Sequence, residues 1–216
     1  MKFDAVIFDL DGTLLNSLEG IADAMNTLLQ RMGYPTHPLE AYKYFVGEGI
    51  FELLRATLPE GKLKLHDMDQ LVTDYRALYE TTWPQKTVPY EGIPEMLDAL
   101  SAKELKLAVL SNKSDEFVRR MTAALLPRWK FEVVRGLRLE EPRKPDPAVA
   151  LKMSVDMGID PANIIFMGDS GIDMQTASRA HMYGVGVLWG FRQADELLTN
   201  GARRLIKHPM ELLAIG

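Results

Sequence analysis

The sequence predicts an α/β fold, a doubly wound parallel sheet that carries a small inserted α-helical domain. Short apolar segments alternate with amphipathic helical segments over most of the chain, which is typical of parallel sheets with helices on both faces. The stretch 16–85 departs from this pattern, because it shows helical periodicity and no convincing strand. Three of the apolar segments also end in polar residues, as expected where a sheet binds a ligand at its carboxyl edge.

The first strand is predicted at residues 5–8. A short apolar run bounded by turn residues is typical of a buried strand in a parallel sheet. It is followed directly by Asp9-Leu-Asp11-Gly12-Thr13. If the strand simply continued, both carboxylates would point to the same face. Their mutual repulsion would then have to be offset by a cation or be used in a reaction.

The inserted domain is predicted to contain three helices. Apolar residues recur at helical spacing from Ile21 to Met32, and this helix ends near Gly33. A second helix covers 51–58, and a third ends against Pro84. We therefore expect a helical domain at 16–85, inserted into a core formed by residues 1–15 and 86–216.

The rest of the core returns to alternating strands and helices. Helices are predicted at 94–100, 114–126, 147–158 and 171–180. Further strands are predicted at 106–111, 131–134, 164–168, 185–188 and 205–206. The carboxyl ends of parallel strands lie along one edge of a sheet, so we expect Asp9, Asp11, Ser111 and Asp169 to meet there.

Composition narrows the possible partners. The chain has 25 Lys and Arg against 30 Asp and Glu and no basic run, so neither a nucleic-acid nor an anionic-membrane partner is expected.

The chain has no cysteine, which excludes disulfides and thiolate chemistry. It shows neither a signal peptide nor an apolar stretch of membrane-spanning length. We expect a cytoplasmic protein that is a monomer or a homodimer.

The segment Asp9-Leu-Asp11-Gly12-Thr13-Leu14 resembles the nucleophile motif of the haloacid dehalogenase-like (HAD) phosphohydrolase superfamily. Ser111, Lys144 in Lys-Pro-Asp-Pro, and Asp169 with Asp173 match the later motifs in order. The resemblance runs through essentially the whole chain. It implies a HAD-like core with a helical cap domain, and a Mg²⁺-dependent phosphatase that hydrolyses a small phosphate monoester through an aspartyl-phosphate.

The resemblance implies a role for each matched residue. Asp9 attacks phosphorus, and Asp11 protonates the leaving oxygen and later activates water. Ser111 donates its hydroxyl to a phosphoryl oxygen, and Lys144 offsets the negative charge. Asp9, Asp169 and the main-chain carbonyl of Asp11 would hold Mg²⁺, with Asp173 in support. The residues expected to contact the substrate are Gly12, Thr13, Ser111, Asn112, Lys144, Gly47, Glu48 and Gly49.

The cap loop narrows the resemblance and leaves alternatives open. Gly47-Glu48-Gly49, and Gly186 to Phe191 after the fifth strand, resemble the phosphoglycolate phosphatase-like branch. A small phosphorylated metabolite, phosphoglycolate-like or a sugar phosphate, is the expected substrate. A sugar-phosphate mutase or a pyrophosphatase of the same superfamily would share nearly all these core residues. A non-catalytic binding module would be expected to have lost at least one of them. A phosphonate hydrolase would use a cap lysine for imine chemistry, and no lysine of the cap is assigned to that role.

Overall fold

A computed structural model of the protein describes residues 3–215. Its centre is a six-stranded parallel sheet with the strand order β5-β4-β1-β6-β7-β8. The strands of this sheet are β1 (Ala5–Phe8), β4 (Lys106–Ser114), β5 (Phe131–Leu137), β6 (Ile164–Gly168), β7 (Tyr183–Val187) and β8 (Arg204–Ile206). A separate antiparallel pair joins β2 (Leu15–Asn16) to β3 (Val88–Pro89). The doubly wound α/β fold predicted from the sequence is confirmed.

Helices cover both faces of the sheet. Those of the core are α5 (Ile93–Ala102), α6 (Asp115–Leu125), α7 (Ala148–Met157), α8 (Gly171–Arg179) and α9 (Ala194–Thr199), with short 3₁₀ turns at Pro161–Asn163 and Pro209–Ala214; a third 3₁₀ turn, Leu63–Leu65, belongs to the inserted helical segment. Alternate residues of β1 enter different apolar clusters, Val6 and Phe8 on one face, Ala5 and Ile7 on the other. Because β1 is central and buried on both faces, its carboxyl end is rigidly placed.

Between β2 and β3 the chain forms a helical cap. It consists of α1 (Leu18–Arg31), α2 (Leu39–Phe45), α3 (Ile50–Thr57) and α4 (Met68–Lys86). α4 lies against α6 of the core, where Arg120 pairs with Glu80 and the Tyr79 and Phe117 rings are 5.1 Å apart. β2 and β3 lie next to the predicted boundaries at 16 and 85, and the division into core and cap remains a prediction.

Some elements differ from the sequence-based expectation. The last cap helix does not stop at Pro84 but runs to Lys86. Proline removes only one hydrogen bond so close to a helix end, and Lys86 pairs with Glu19 and Asp23 of α1, which holds the final turn in place. α2 was missed because it has only seven residues, too few for a clear apolar repeat, and Tyr42 is its one buried residue. α9 and the two-residue strands β2 and β3 were also missed, and β4 and β5 each run three residues further than predicted.

None of the helices within residues 3–215 has the length and apolar character needed to cross a lipid bilayer.

Candidate active site

Asp9 lies at the carboxyl end of β1, at the base of the cavity between core and cap. Its main-chain N–H donates to Met167 O at 2.9 Å, which continues the pairing of β1 with β6 by one residue. The side chain is buried, and the Lys144 ammonium lies 2.8 Å from Oδ1. This contact has the distance of an ion pair but not the angles of a hydrogen bond, so Oδ1 has no hydrogen-bond partner among residues 3–215.

Lys144 is the only cation within 4 Å of this carboxylate in the described chain. It is buried, and its Nζ also donates to Asp173 Oδ1 at 2.7 Å. The side chain of Asn112 holds the Lys144 backbone: Oδ1 accepts from its N–H at 2.9 Å and Nδ2 donates to its carbonyl at 3.1 Å. The end of β4 therefore fixes the loop that carries the lysine.

Asp169 and Asp173 follow β6 and complete an acidic cluster with Asp9. One carboxylate oxygen of each lies within 4.8 Å of the other two. The hydrogen bonds of Asp169 come from the N–H of Phe191, 2.7 Å from Oδ2, and from the Thr13 hydroxyl, 3.4 Å from Oδ1. Asp173 is fully buried, and its Oδ2 accepts from the N–H and hydroxyl of Ser170 at the start of α8.

The cluster is electrostatically strained because its charges are buried. Burial raises the pKa of Asp9 to about 6; Lys144 opposes this rise and Asp173 adds to it. Burial also raises the pKa of Asp169 well above its usual range, helped by the charges of Asp173 and Asp9. For Lys144, burial lowers the pKa, but Asp173 and Asp9 outweigh it and the net shift is upward.

These residues fit a divalent cation. Three carboxylates facing one ammonium leave two negative charges in excess, and oxygen donors are the ligands that Mg²⁺ prefers. Asp9 Oδ1 has a free acceptor site. Gly12 leaves room beside Asp169, since a Cβ there would lie 2.3 Å from Asp169 Oδ2. Asp173 already accepts at both oxygens, which suits a supporting position better than a direct ligand.

The Asp11 side chain points to a different neighbourhood. Its Oδ1 accepts from the Ser17 hydroxyl at 2.5 Å, and its Oδ2 from the Lys113 ammonium at 2.8 Å. Lys113 Nζ also lies 4.7 Å from the centre of the Tyr79 ring in the cap. Sequence reasoning missed both partners of Asp11, although Lys113 stands two residues after Ser111, at a strand end already singled out as functional.

Ser111 lies in β4, three residues before its end, and lines the same cavity as Asp9 and Asp11. It is buried, and its Oγ accepts from the N–H of Lys113 at 3.3 Å. Its hydroxyl proton has no acceptor in residues 3–215, so it is free to bind an anionic oxygen placed in the cavity.

Gly12 and Thr13, predicted to bind substrate, lie next to Asp169 and are not among the residues that line the cavity. Both amide groups are used within the turn: Gly12 N–H donates to Leu15 O at 2.9 Å, and Thr13 N–H to Leu10 O at 3.4 Å. The structure thus places these residues around the acidic cluster, and their contact with substrate remains a prediction.

The cap loop Val46–Gly49 closes over the site and is held by three core side chains. Three successive carbonyls of the loop accept hydrogen bonds. The donors are Arg192 Nη2 to Val46 O at 3.0 Å, Asn112 Nδ2 to Gly47 O at 3.0 Å, and Arg143 Nη1 to Glu48 O at 2.9 Å. Gly47 and Gly49 line the cavity, whereas the Glu48 side chain is half exposed and lies 3.4 Å from Arg143. Arg192 and Arg143 had not been predicted from the sequence.

Comparison with known proteins gives consistent matches over most of the chain. A family model described as haloacid dehalogenase-like hydrolase matches residues 6–187. A phosphoglycolate phosphatase of Pseudomonas putida is 33% identical over 86% of this chain and 70% of its own. One from Psychrobacter arcticus is 30% identical over 91% of this chain and 88% of its own.

The fold also matches solved structures. A haloacid dehalogenase-like family hydrolase from Streptococcus pneumoniae superposes with a TM-score of 0.87 over 98% of this chain and 97% of its own, at 24% identity. At that identity the likeness establishes the shared fold.

Proposed function

Because the chain belongs to the haloacid dehalogenase-like hydrolases, we propose that it is a phosphatase that hydrolyses a small phosphate monoester through an aspartyl-phosphate on Asp9. The observation that carries the proposal is the placement of Asp9. Its side chain lines the cavity, its Oδ1 lies 2.8 Å from the Lys144 ammonium, and a second carboxylate, Asp11, lines the same cavity.

Asp9 acts as the nucleophile in this proposal. With a pKa of about 6 it is largely ionised at neutral pH, so a carboxylate oxygen is available to attack phosphorus. The new bond joins Asp9 to phosphorus and the ester oxygen leaves, which divides one hydrolysis into two steps. Ser111 lines the cavity and Lys144 lies 2.8 Å from Asp9 Oδ1, so in this proposal both stabilise the negative charge of the phosphoryl group.

Asp11 acts as the general acid and base. Ser17 and Lys113 each hold one of its oxygens, which fixes the carboxyl group at the cavity wall. The first step requires the protonated form of Asp11, whose proton passes to the departing alcohol oxygen. In the second it takes a proton from the water that attacks the aspartyl-phosphate, so the group returns to its starting state.

Mg²⁺ is the metal we propose for the acidic cluster. Asp9, Asp169 and the Asp11 carbonyl would hold it, with Asp173 supporting. Bound there, Mg²⁺ would neutralise charge between the nucleophile and the phosphoryl oxygens. Asp173 positions both Lys144 and the start of α8, so its loss should disturb the lysine as well as the metal site.

The substrate proposed is a small phosphorylated metabolite. The cavity has a volume of about 100 Å³ and is lined in part by the cap loop, which favours a small molecule. The relatives from P. putida and Psychrobacter arcticus are phosphoglycolate phosphatases, which makes phosphoglycolate a first compound to test. A cytoplasmic location and a monomeric or dimeric state also remain proposals; light scattering after size-exclusion chromatography decides the second.

The test is phosphate release with Mg²⁺ from phosphoglycolate, hexose phosphates, nucleotides and pyrophosphate. Wild-type protein should release phosphate from at least one monoester, and chelation should stop it reversibly. Asp9→Asn and Asp11→Asn should each be inactive while melting like folded proteins. Near wild-type turnover in Asp9→Asn would refute the nucleophile assignment, and turnover of pyrophosphate alone would assign a pyrophosphatase instead.

A further inference from the structure

The side chain of Asn112 binds two separate loops at once. Its Nδ2 donates to Gly47 O of the cap loop at 3.0 Å and to Lys144 O at 3.1 Å, and its Oδ1 accepts from the Lys144 N–H at 2.9 Å. The residue follows Ser111 in β4 and is buried. One amide group therefore lies between the cap and the lysine that contacts Asp9.

These hydrogen bonds use both donors of the amide. A primary amide has two N–H groups and one carbonyl oxygen. In Asn112 the NH₂ group faces two carbonyl acceptors, and the acceptors belong to different loops. The reverse orientation would bring the amide oxygen against both carbonyls, so the network fixes the orientation. Neither aspartate nor serine could make the same set of contacts, because neither donates twice.

The cap loop also lies close to the backbone of Asn112. Gly49 has a φ of 89°, a conformation that favours glycine, and a Cβ at this position would lie 3.0 Å from Asn112 O. Gly47, whose carbonyl accepts from the Asn112 side chain, also has a positive φ, of 130°. Two glycines thus let the cap loop approach β4 more closely than a loop with side chains could.

Through Lys144 the contact extends to the proposed nucleophile. Asn112 holds both the N–H and the carbonyl of Lys144. The ammonium of that lysine lies 2.8 Å from Asp9 and 2.7 Å from Asp173, and its side chain is only 3% exposed. A shift of the Lys144 backbone would therefore move the ammonium within a packed, charged cluster and change the charge beside Asp9.

Arg143 makes a second, more exposed connection between the same two loops. It precedes Lys144, and its Nη1 donates to Glu48 O at 2.9 Å. Its side chain is 39% exposed and lies 3.4 Å from the carboxylates of Glu48 and Glu52. Water can replace exposed contacts of this kind at little cost, whereas the buried hydrogen bonds of Asn112 are costly to leave unmade.

Arg192 holds the cap loop in a different way. It follows β7 and donates to Val46 O at 3.0 Å. It also lies 3.4 Å from the Glu196 carboxylate and 5.4 Å from the centre of the Tyr44 ring. Within residues 3–215, no hydrogen bond or ion pair joins it to Lys144. Removal of Arg192 should therefore free the loop and leave the lysine in place, which makes it the matched control.

We propose that Asn112 is a positioning residue that couples closure of the cap loop to the placement of Lys144 beside Asp9. The proposal rests on the phosphatase function proposed above. With the loop seated, both N–H groups of the amide are bound and Lys144 is held against the nucleophile. When the loop leaves, the amide loses Gly47 O and holds the lysine loop less tightly. The site then has its full charge only while the cap limits access of water.

Kinetics of two variants separate this coupling from simple loosening of the loop. A glutamate-specific protease cuts after Glu48, and both Asn112→Ala and Arg192→Ala should be cut there faster than wild type. Asn112→Ala should also lower kcat on the order of tenfold, the factor of about one hydrogen bond, because Lys144 is no longer held beside Asp9. Arg192→Ala should act mainly on KM. Thermal melts check folding, and Asn112→Ser serves if the alanine variant does not melt cooperatively.

Orthophosphate with Mg²⁺ tests the coupling directly, since it can occupy the position of the phosphoryl group. If bound phosphate favours the seated loop, the seated loop must strengthen phosphate binding by the same factor. Saturating orthophosphate should slow cleavage after Glu48 severalfold in wild type and in Arg192→Ala. In Asn112→Ala it should have almost no effect, and calorimetry should show phosphate binding weakened by a matching factor, at most about tenfold.

The outcomes separate the two proposals. The coupling is overturned if orthophosphate protects Asn112→Ala as well as wild type, or if it binds wild type without protecting the loop. A loss of phosphate binding beyond about a hundredfold in Asn112→Ala also overturns it, since Asn112 would then contact the phosphate itself. The phosphatase assignment survives each of these results. If wild type releases phosphate from no ester with Mg²⁺, the proposed function itself fails.

Discussion

Replacing Lys144 by methionine should destabilise the folded protein strongly and in a pH-dependent way. The ammonium lies 2.8 Å from Asp9 and 2.7 Å from Asp173, and the three side chains are 3%, 11% and 0% exposed respectively. Methionine has a similar volume and no charge, so packing is largely kept while two buried carboxylates lose their counter-ion.

The expected loss of unfolding free energy is about 3–5 kcal/mol, the usual cost of removing one partner from a buried ion pair. For a chain of this length, each kcal/mol lowers the melting temperature by about 2–4 °C. The metal-free variant should therefore melt roughly 6–20 °C below the wild type at pH 8.

Lower pH should reduce this gap. Burial already raises the pKa of Asp9 to about 6 with the lysine present, and its removal raises that pKa further. Between the unfolded and folded pKa values, the folded state binds a proton that the unfolded chain does not, so stability increases as the pH falls through this window. The deficit of Lys144→Met should thus be smaller at pH 5.5 than at pH 8.

Thermal denaturation by circular dichroism, with chelator present, measures both effects. Lys130→Met is a matched control, since Lys130 is 82% exposed and pairs only with Glu132 on the surface. It should melt within about 2 °C of the wild type. The reasoning is refuted if Lys144→Met melts as close to wild type as this control, or if its deficit is equal at both pH values.

Three further perturbations test the metal site, its charge and the cap loop. Mg²⁺ at a hundred times its dissociation constant should stabilise the wild type by about 2.7 kcal/mol in melting experiments, and Asp169→Asn should abolish this shift. In metal-free protein, the stability of the wild type should decline relative to that of Asp9→Asn as the pH rises from about 4 to 6. The reason is that the Asp9 carboxyl group binds its proton more tightly in the folded than in the unfolded chain. Parallel curves of unfolding free energy against pH for the two proteins would contradict this. Arg192→Ala removes the hydrogen bond to Val46 O, so protease should cleave the loop faster, and KM should rise several times more than kcat falls. The control Arg55→Ala changes an exposed arginine of α3 and should alter neither the cleavage rate nor the kinetic constants.

The sequence by itself determined the strand core and the positions of its polar ends. Buried strands such as Ala5–Phe8 and Ile164–Gly168 are local apolar runs that Asp9 and Asp169 follow directly, and Ser111 follows the apolar run 107–110 inside β4. Parallel strands share an edge, so the meeting of these residues could be predicted without coordinates. The resemblance of the motifs led to the family that the comparisons show.

Only the tertiary structure decided which side chains act on one another. Lys113 binds Asp11 across 102 residues, and Arg192 reaches the cap loop across 146. Such contacts depend on the direction in which each loop leaves its strand and on how the cap lies over the core, and neither is recorded in local periodicity. Short elements such as α2 were missed for the same reason: its one buried residue, Tyr42, is held by Asn26 of another helix, so its stability comes from packing and not from its own sequence.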